Sequence, residues 1–483
     1  MFVASILCLL LIALLVWVYV TNPFNRFTVM RLPFVVHQLE PLQVTDRLKH
    51  LRVHRAWWWR WLAKAKCGLH ILHTRYISSP RSAAQTVPAI INDIHALRFR
   101  PDKLLLISGD HFNGLFVRNL GVFYYPTLDR AIPATPEQWR NRQLVYAQSV
   151  AYALGVFAKH PVPTTTIVET GRYSAVCVNF YAFPSDTVYG ILYALAALKG
   201  LESAQPAGYA AAVHTLQTPA VAAHLLQAYQ STLQELYNCY RRTAFDETLG
   251  LIDPEIHLSG AKDITRRRSA FFDNVIFWKT TQLAMRLGVI TDDQAFLRAL
   301  KKRIISTFWL PEEGYFLEDL SEEGKAQKYY SSDWLIILAT GFLDPAKKTD
   351  RPYFTRSIAY LQAQAIDRPF PLKYQAETRA HRQFFAVRVA VASYGGDAIW
   401  SFWGMEYIKA LLLLYKATGN RRYLRTADRH IASYKKVMRH YGGFPEVYDN
   451  QGRLLQTPLY RSIRQTGWVI GFEQVLAMRA AIR

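Results

Sequence analysis

The sequence predicts an all-α fold, closed into a toroid or stacked as a helical array. Three observations carry this. Roughly a dozen stretches keep apolar residues at helical spacing. Strand-like alternation is short and rare, as at Lys103–Ile107. No short unit repeats at a fixed period, which sets aside the solenoids. The 483 residues are long for one compact body, but a toroid reaches this size as one unit. Hydrophobic residues make up 51% and aromatics 14%, enough for a large core and too apolar for disorder.

Taken in order, the chain opens on Phe2 to Val20, an apolar run without a charge and long enough to span a bilayer core. Trp17 and Tyr19 fall near its end, where an interfacial belt is expected. A cleaved signal peptide is the alternative. Its apolar region is usually shorter, its start is usually basic, and no small-x-small site precedes Pro23. The expectation is a transmembrane helix within residues 1–22, and so a single-pass membrane protein. Arg26 and Arg31 favour a cytoplasmic body, but long domains translocate regardless of charge, so the side stays open.

Residues 23–83 are basic: cations far outnumber Glu40 and Asp46, and Trp57, Trp58, Trp59 and Trp61 lie among them. Such a segment either rests on anionic lipid beside the anchor or packs its tryptophans on the main body as a first helix. Residues 84–483 form the helical body. Helices are expected at 137–160, 186–199, 224–242, 268–287, 292–306, 331–341, 353–366, 398–417, 421–440 and 462–483, with weaker signals at 87–97 and 112–123. Leu225, Tyr229, Leu233, Leu236 and Tyr240 keep one apolar face, as do Met405, Ile408, Leu412 and Tyr415.

The formal charge of +22 invites a nucleic-acid reading. No zinc spacing, RNP-like strand or helix-turn-helix supports one, so nucleic acid is not the expected partner. Anionic lipid or an anionic surface polymer suits the charge equally well. Cys8, Cys67, Cys177 and Cys239 are scattered without CxxC spacing, which argues against a disulfide framework. No cluster has metal-ligand spacing, and no metal or other cofactor is expected.

The unusual residues sit in the connecting loops, which mix aromatic, acidic and small residues. Gly442 to Trp468 is the most informative. Gly442, Gly443 and Pro445 stop a helix, and Asp449 to Gly452 is a turn signal. Glu446 lies between Phe444 and Tyr448. A carboxylate held among aromatic rings is partly desolvated, which favours proton transfer and sugar stacking. The plain alternative is a surface Glu beside a turn. Trp400, Trp403, Tyr394 and Phe272 are stacking platforms or core. His111 and His257 are single histidines, read as structural. Asp333 before Trp334 reads as a helix cap.

Four places, in order, resemble the six-hairpin (α/α)6 glycoside hydrolases, nearest to the glucosidase domain of glycogen-debranching enzymes and related α-glucosidase/trehalase-like toroids. Tyr181-Ala-Phe-Pro-Ser185-Asp186 with Tyr189 is similar to the loop that opens an inner helix. Gly260 to Asp263, then Arg266 to Arg268 and Asn274, is similar to the general-acid loop. Tyr394 to Trp400 is similar to a Tyr-x-x-Gly-x-x-Trp loop with its glycine displaced. Glu446 to Gly452, then Gln465-Thr-Gly-Trp468, is similar to the general-base segment and closing helix. The similarity spans roughly residues 105–483.

The resemblance implies an (α/α)6 toroid, a carbohydrate substrate, and an inverting mechanism with Asp263 as acid and Glu446 as base, the carboxyls roughly 6.5–9.5 Å apart. It implies substrate contacts at Asp110, Arg118, Asn119, Asp186, Arg268, Tyr394, Trp400 and Trp468. The chain departs from the pattern at Arg118-Asn119, where the family has Arg-Asp. Either Asn119 grips sugar hydroxyls neutrally or Asp110 substitutes. Ala261 and Lys262 replace the usual Trp before the acid. Asp263 has a second reading as a helix N-cap, with Glu255 as fallback acid. Arg266 to Arg268 would hold an acid's pKa down unless they point elsewhere or pair with Asp273. The function expected is a membrane-anchored glycoside hydrolase acting on a glucoside or surface glycan. The alternatives are a catalytically silent glycan-binding or scaffolding toroid, and a polysaccharide lyase or epimerase.

Overall fold

The computed structural model describes residues 27–31, 41–53, scattered positions between 58 and 73, and residues 80–482. Within the last span it leaves out 101–105, 107–108, 110–113, 122–131, 160–164, 172–173, 179–184, 202–217, 256–261 and 263–264. Phe2 to Val20, Asp110 and Asp263 therefore lie outside the described residues, as do His111, His257 and most of Lys103–Ile107. Among the described residues no helix is long and apolar enough to cross a membrane. The single-pass membrane localisation expected from the sequence is corrected accordingly.

Burial sorts the long helices into two kinds. Helices α1 (Pro41–Leu48) and α2 (Val87–Arg98) precede α3 (Pro136–Lys159), which is buried from Arg142 to Phe157. Helix α4 (Ser185–Leu198) is buried without a break from Ser185 to Ala196. Then come α5 (Thr218–Ala228) and α6 (Gln230–Ala244), and α7 (Phe271–Arg286), buried from Phe271 to Thr281. Helix α8 (Gln294–Phe308) follows, and after it the short α9 (Glu322–Ala326). A 3-10 turn at Ser332–Leu335 runs into α10 (Ile336–Ala339). Next are α11 (Arg351–Ala363), the short α12 (Phe385–Val391), and α13 (Ser401–Thr418), buried from Ser401 to Leu412. Helices α14 (Arg421–Tyr441) and α15 (Val469–Ala480) end the chain.

The most buried helices, together with α10 and α15, form an inner ring. Helix α3 packs on α4, α4 on α7, α7 on α10, α10 on α13, and α13 on α15. Side chains close the circle: Glu473 of α15 meets His95 of α2 at 2.6 Å and Arg142 of α3 at 3.1 Å. The amphipathic helices lie outside. Helix α14 buries only Ala427, His430, Ile431, Tyr434 and Met438, a single stripe laid on α13. Helix α8 buries Leu297, Leu300, Ile304 and Phe308 against α7 in the same way. Each such Leu or Ile withdrawn from water contributes about 1.5–3 kcal/mol.

Helix ends follow the sequence signals. Asp293 caps α8 by accepting from the Phe296 N–H at 2.9 Å. Helix α14 stops where Gly442 turns to φ +59°, beside the Ser82 carbonyl, which a Cβ there would meet at 2.5 Å.

The expectation of an all-α body needs one correction. Strands β1 (Phe27–Arg31), β2 (Arg52–Val53), β3 (Gly114–Phe116), β4 (Thr166–Gly171) and β5 (Ser174–Val178) make an antiparallel sheet in the order β2-β1-β5-β4-β3. Val168 faces Val176 across a tight hairpin, and Val29 faces Val176 from the other side. Residues 27–31 and 41–53 thus join the body through β1 and through α1, whose Leu48 sits where a Cβ on Gly155 of α3 would lie at 2.8 Å. Trp58 and Trp61 in the basic segment are each more than half exposed, so neither ring is core. Trp57 and Trp59 lie outside the described residues.

Candidate active site

A chain of contacts gathers the N-terminal ends of the inner helices at one mouth. Asp186 stands in the first turn of α4, with Arg118 Nη1 3.8 Å from its Oδ2. The 3-10 turn Val117–Leu120 that carries Arg118 and Asn119 lies against α4, where a Cβ on Gly190 would meet the Val117 carbonyl at 2.6 Å. Tyr240 feels both Asp186 and Asp273, the latter in the first turn of α7. Arg267, just before α7, donates to Asp333 in the 3-10 turn at 2.5 Å. Tyr374 leads on to Trp400, with ring centroids 5.4 Å apart, at the start of α13. Trp400 lies 6.1 Å from Trp468 at the start of α15.

Glu446 is placed at this mouth by its backbone. Strands β6 (Ile399–Trp400) and β7 (Val447–Tyr448) pair, with Trp400 opposite Val447. The Glu446 N–H donates to the Ile463 carbonyl at 2.9 Å. Its own carbonyl accepts from the Ser401 N–H at 3.1 Å and the Ser401 hydroxyl at 3.0 Å. Its side chain is half-buried. Tyr394 stacks edge-on to Trp400 at 4.6 Å, and its carbonyl accepts from the Trp400 indole N–H at 2.9 Å. The fold therefore brings Glu446, Tyr394, Trp400 and Trp468 together on one arc, and Arg118 and Asp186 together elsewhere on the rim. Phe444 and Tyr448, the sequence neighbours of Glu446, are fully buried and pack on Tyr434 and Phe370 as core. Phe272 and Trp403 are core as well.

The loop that carries Asp263 is pinned on both sides of that residue. Lys262 is buried and donates to Glu318 at 2.6 Å, with its ammonium 4.8 Å from the Tyr374 ring. Thr265 bridges to Gln383, and the Arg266 N–H donates to the Arg382 carbonyl at 2.8 Å. The three arginines that would depress a neighbouring acid are each engaged. Arg266 lies over the Phe384 ring at 5.8 Å, Arg267 holds Asp333, and Arg268 is exposed and paired with the exposed Glu255 at 2.5 Å. The sequence offered a pairing with Asp273; Asp333 takes the hydrogen bond and Asp273 only feels the charge.

Sequence reasoning missed the polar cluster behind this loop. Glu318 accepts from Lys262 and, at 2.8 Å, from Arg382, which also bonds Asp319. Gln375 accepts from Arg379 at 3.0 Å and Lys262 at 3.4 Å. Burial alone would raise the Glu318 carboxyl, but Lys262 and Arg382 outweigh it and hold the pKa at about 2. The one local signal was a pair of acids, Glu318-Asp319, set in an apolar run.

Asp273 goes the other way: burial pushes its pKa up to about 6, with Asp333 adding to the rise and Arg267 opposing it. A carboxyl raised on folding stabilises the fold below its unfolded value of 3.8, and that stabilisation is lost as pH rises through about 6. Asp273→Asn should flatten this limb. Relative to the parent, the variant should gain roughly 1–3 kcal/mol between pH 4 and pH 7.5 in chemical denaturation. A difference that stays constant over that range would show that Asp273 does not titrate there.

No family model and no curated protein matches the chain. Among solved structures it is similar to a rhamnosidase from Klebsiella oxytoca with rhamnose bound, at 14% identity and TM-score 0.48, over 83% of this chain and 64% of that one. It is also similar to cellobiose 2-epimerase from Bacillus thermoamylovorans B4167, at 12% identity and TM-score 0.48, over 87% and 99%. A D-mannose isomerase stands at 9% identity and TM-score 0.45, over 84% and 100%. At these scores none of them assigns a residue role to this chain. The helical ring found here agrees with the six-hairpin superfamily that the ordered motifs resemble.

Proposed function

We propose that this chain is a sugar-acting enzyme of the α/α toroid class, and within it a glycoside hydrolase. The observation that supports this best is Glu446, half-buried and fixed by its backbone at the mouth beside Trp400, with Tyr394 and Trp468 on the same arc. In this reading Glu446 takes a proton from water and Asp263, on the pinned loop, gives one to the leaving oxygen. Two carboxyls acting across a bond with a water between them invert the anomeric carbon. The aromatic arc stacks on the sugar, and Asp186 with Arg118 grips its hydroxyls from the rim.

The test is hydrolysis of aryl glycosides and neutral oligosaccharides, followed by proton NMR within the first minutes. The expected product carries the opposite anomeric configuration to the substrate. Retained configuration would overturn the inverting assignment. Rearranged sugar with no water added would make the protein an epimerase or isomerase. Binding without turnover would leave a silent glycan-binding toroid.

A further inference from the structure

Helix α14 carries one sign of charge along its outer face. Arg421, Arg425, Arg429, Lys436 and Arg439 are exposed. The helical repeat sets them within about 80° of arc, opposite the stripe that packs on α13, and along about 27 Å of helix. Asp428 is the one acid on α14, and Arg479 of α15 takes both its oxygens, at 2.5 Å and 3.2 Å. The acids of neighbouring elements are spent as well. Asp367 is buried against His430, with Arg429 3.7 Å away. Asp93 of α2 accepts from Ser82, and Glu473 is held by His95 and Arg142. Arg421, Arg425, Lys436 and Arg439 have no ion-pair partner among the described residues.

This arrangement works against the helix itself. Like charges four residues apart, as at Arg421, Arg425 and Arg429, repel. Arg421 and Arg422 stand in the first turn, where the helix dipole already presents its positive end and no acid offsets it. A face built only for solubility intersperses the two signs. A bound polyanion relieves both penalties, and its class follows from what the face lacks and where it leads. Helix α14 exposes no large apolar side chain. A helix that enters a bilayer surface buries apolar residues, and single-stranded nucleic acid stacks its bases on aromatic rings. Four of the five cations are arginines, whose fork grips a carboxylate with two bonds. The face runs up to Gly442, and the connection that follows carries Glu446 to the mouth. The choice of a sugar polymer over another polyanion rests on the sugar-acting reading of that mouth. We propose that the outer face of α14 is a docking surface for an anionic polysaccharide, a chain of carboxylate-bearing sugars.

The test is binding of the full chain to polygalacturonate between about 50 and about 200 mM salt, with neutral dextran, duplex DNA and phosphatidylserine vesicles in parallel. The parent should bind polygalacturonate and not dextran, with affinity falling steeply as salt rises and counterion release loses its drive. Arg425→Gln, Lys436→Gln and Arg439→Gln combined should weaken binding roughly tenfold or more at the lower salt and flatten the salt dependence. Arg298→Gln, Lys302→Gln and Lys348→Gln combined remove the same charge from exposed positions outside α14, and should leave affinity within about twofold. The proposal is overturned if the parent does not bind polygalacturonate, or binds dextran as well. It is overturned equally if the two triple variants weaken binding alike, which would assign it to net charge, or if DNA or the vesicles bind more tightly than polygalacturonate. None of these readouts uses turnover, so failure of the hydrolase reading leaves them unaffected.

Discussion

Glu446→Gln should leave a folded protein without turnover. Removing a general base costs on the order of 10²–10⁴-fold in rate, and the amide cannot accept the proton from water. We expect initial rates on the best substrate to fall at least 10³-fold, within that span. The fold should tolerate the change because the bonds that anchor this segment come from its backbone: the N–H to Ile463 and the carbonyl from Ser401. The melting temperature should therefore move by no more than about 2 °C, the range of a surface substitution. Asp263→Asn should match it in rate. Full activity in Glu446→Gln would remove Glu446 from the mechanism; lost activity with a lost fold would make it a structural residue.

Glu318→Ala should be the most destabilising single change. It leaves the buried Lys262 without its ion-pair partner and takes from Arg382 one of its two carboxylates. Breaking a buried pair in this way costs about 3–5 kcal/mol. The pH dependence distinguishes this from simple loss of packing. A carboxyl held at about 2 stabilises the fold above its unfolded value of 4.5, and that stabilisation is lost as pH falls through the range between them. The gap between parent and variant, measured by denaturant midpoint, should be widest at pH 6–7 and narrow steadily below pH 4.5. A gap independent of pH would mean that the cluster acts by shape alone. Glu318→Gln, which keeps the shape and drops the charge, should reproduce the narrowing.

The helices were legible because their signal is local. Met405 to Tyr415 show their face in consecutive turns, and the glycine at 442 stops α14 where its sequence says it should; the face from Leu225 to Tyr240 is buried as expected, but the one helix read at 224–242 breaks at Tyr229 into α5 and α6. The sheet was not legible. Strand β1 pairs with β5 across most of the first third of the chain, and five residues such as Phe27–Arg31 carry no periodicity that separates a strand from an apolar turn of helix. At the site, Tyr394, Trp400, Glu446 and Trp468 stand out as loop residues of unusual type. Lys262, Glu318 and Arg382 do not, because a charged residue reads as surface until its partner is known, and each partner here lies in a different connection. Arg268 shows the converse: it stood beside the motif in sequence, and its side chain is spent on an exposed pair with Glu255.

The closure of the inner ring at Glu473 also sets an order of events during synthesis. Helix α3 emerges from the ribosome long before α15, so Arg142 waits for a counter-charge made 331 residues later. Until then the first and last walls of the ring have no neighbour, and the apolar faces of α3 and α4 stand open to other chains. Vectorial, domain-by-domain folding cannot bring this ring to completion from its N-terminal half, since the clasp is made by its last helix. A nascent chain stalled ahead of residue 469 is thus expected to be a client for chaperones rather than a smaller closed ring.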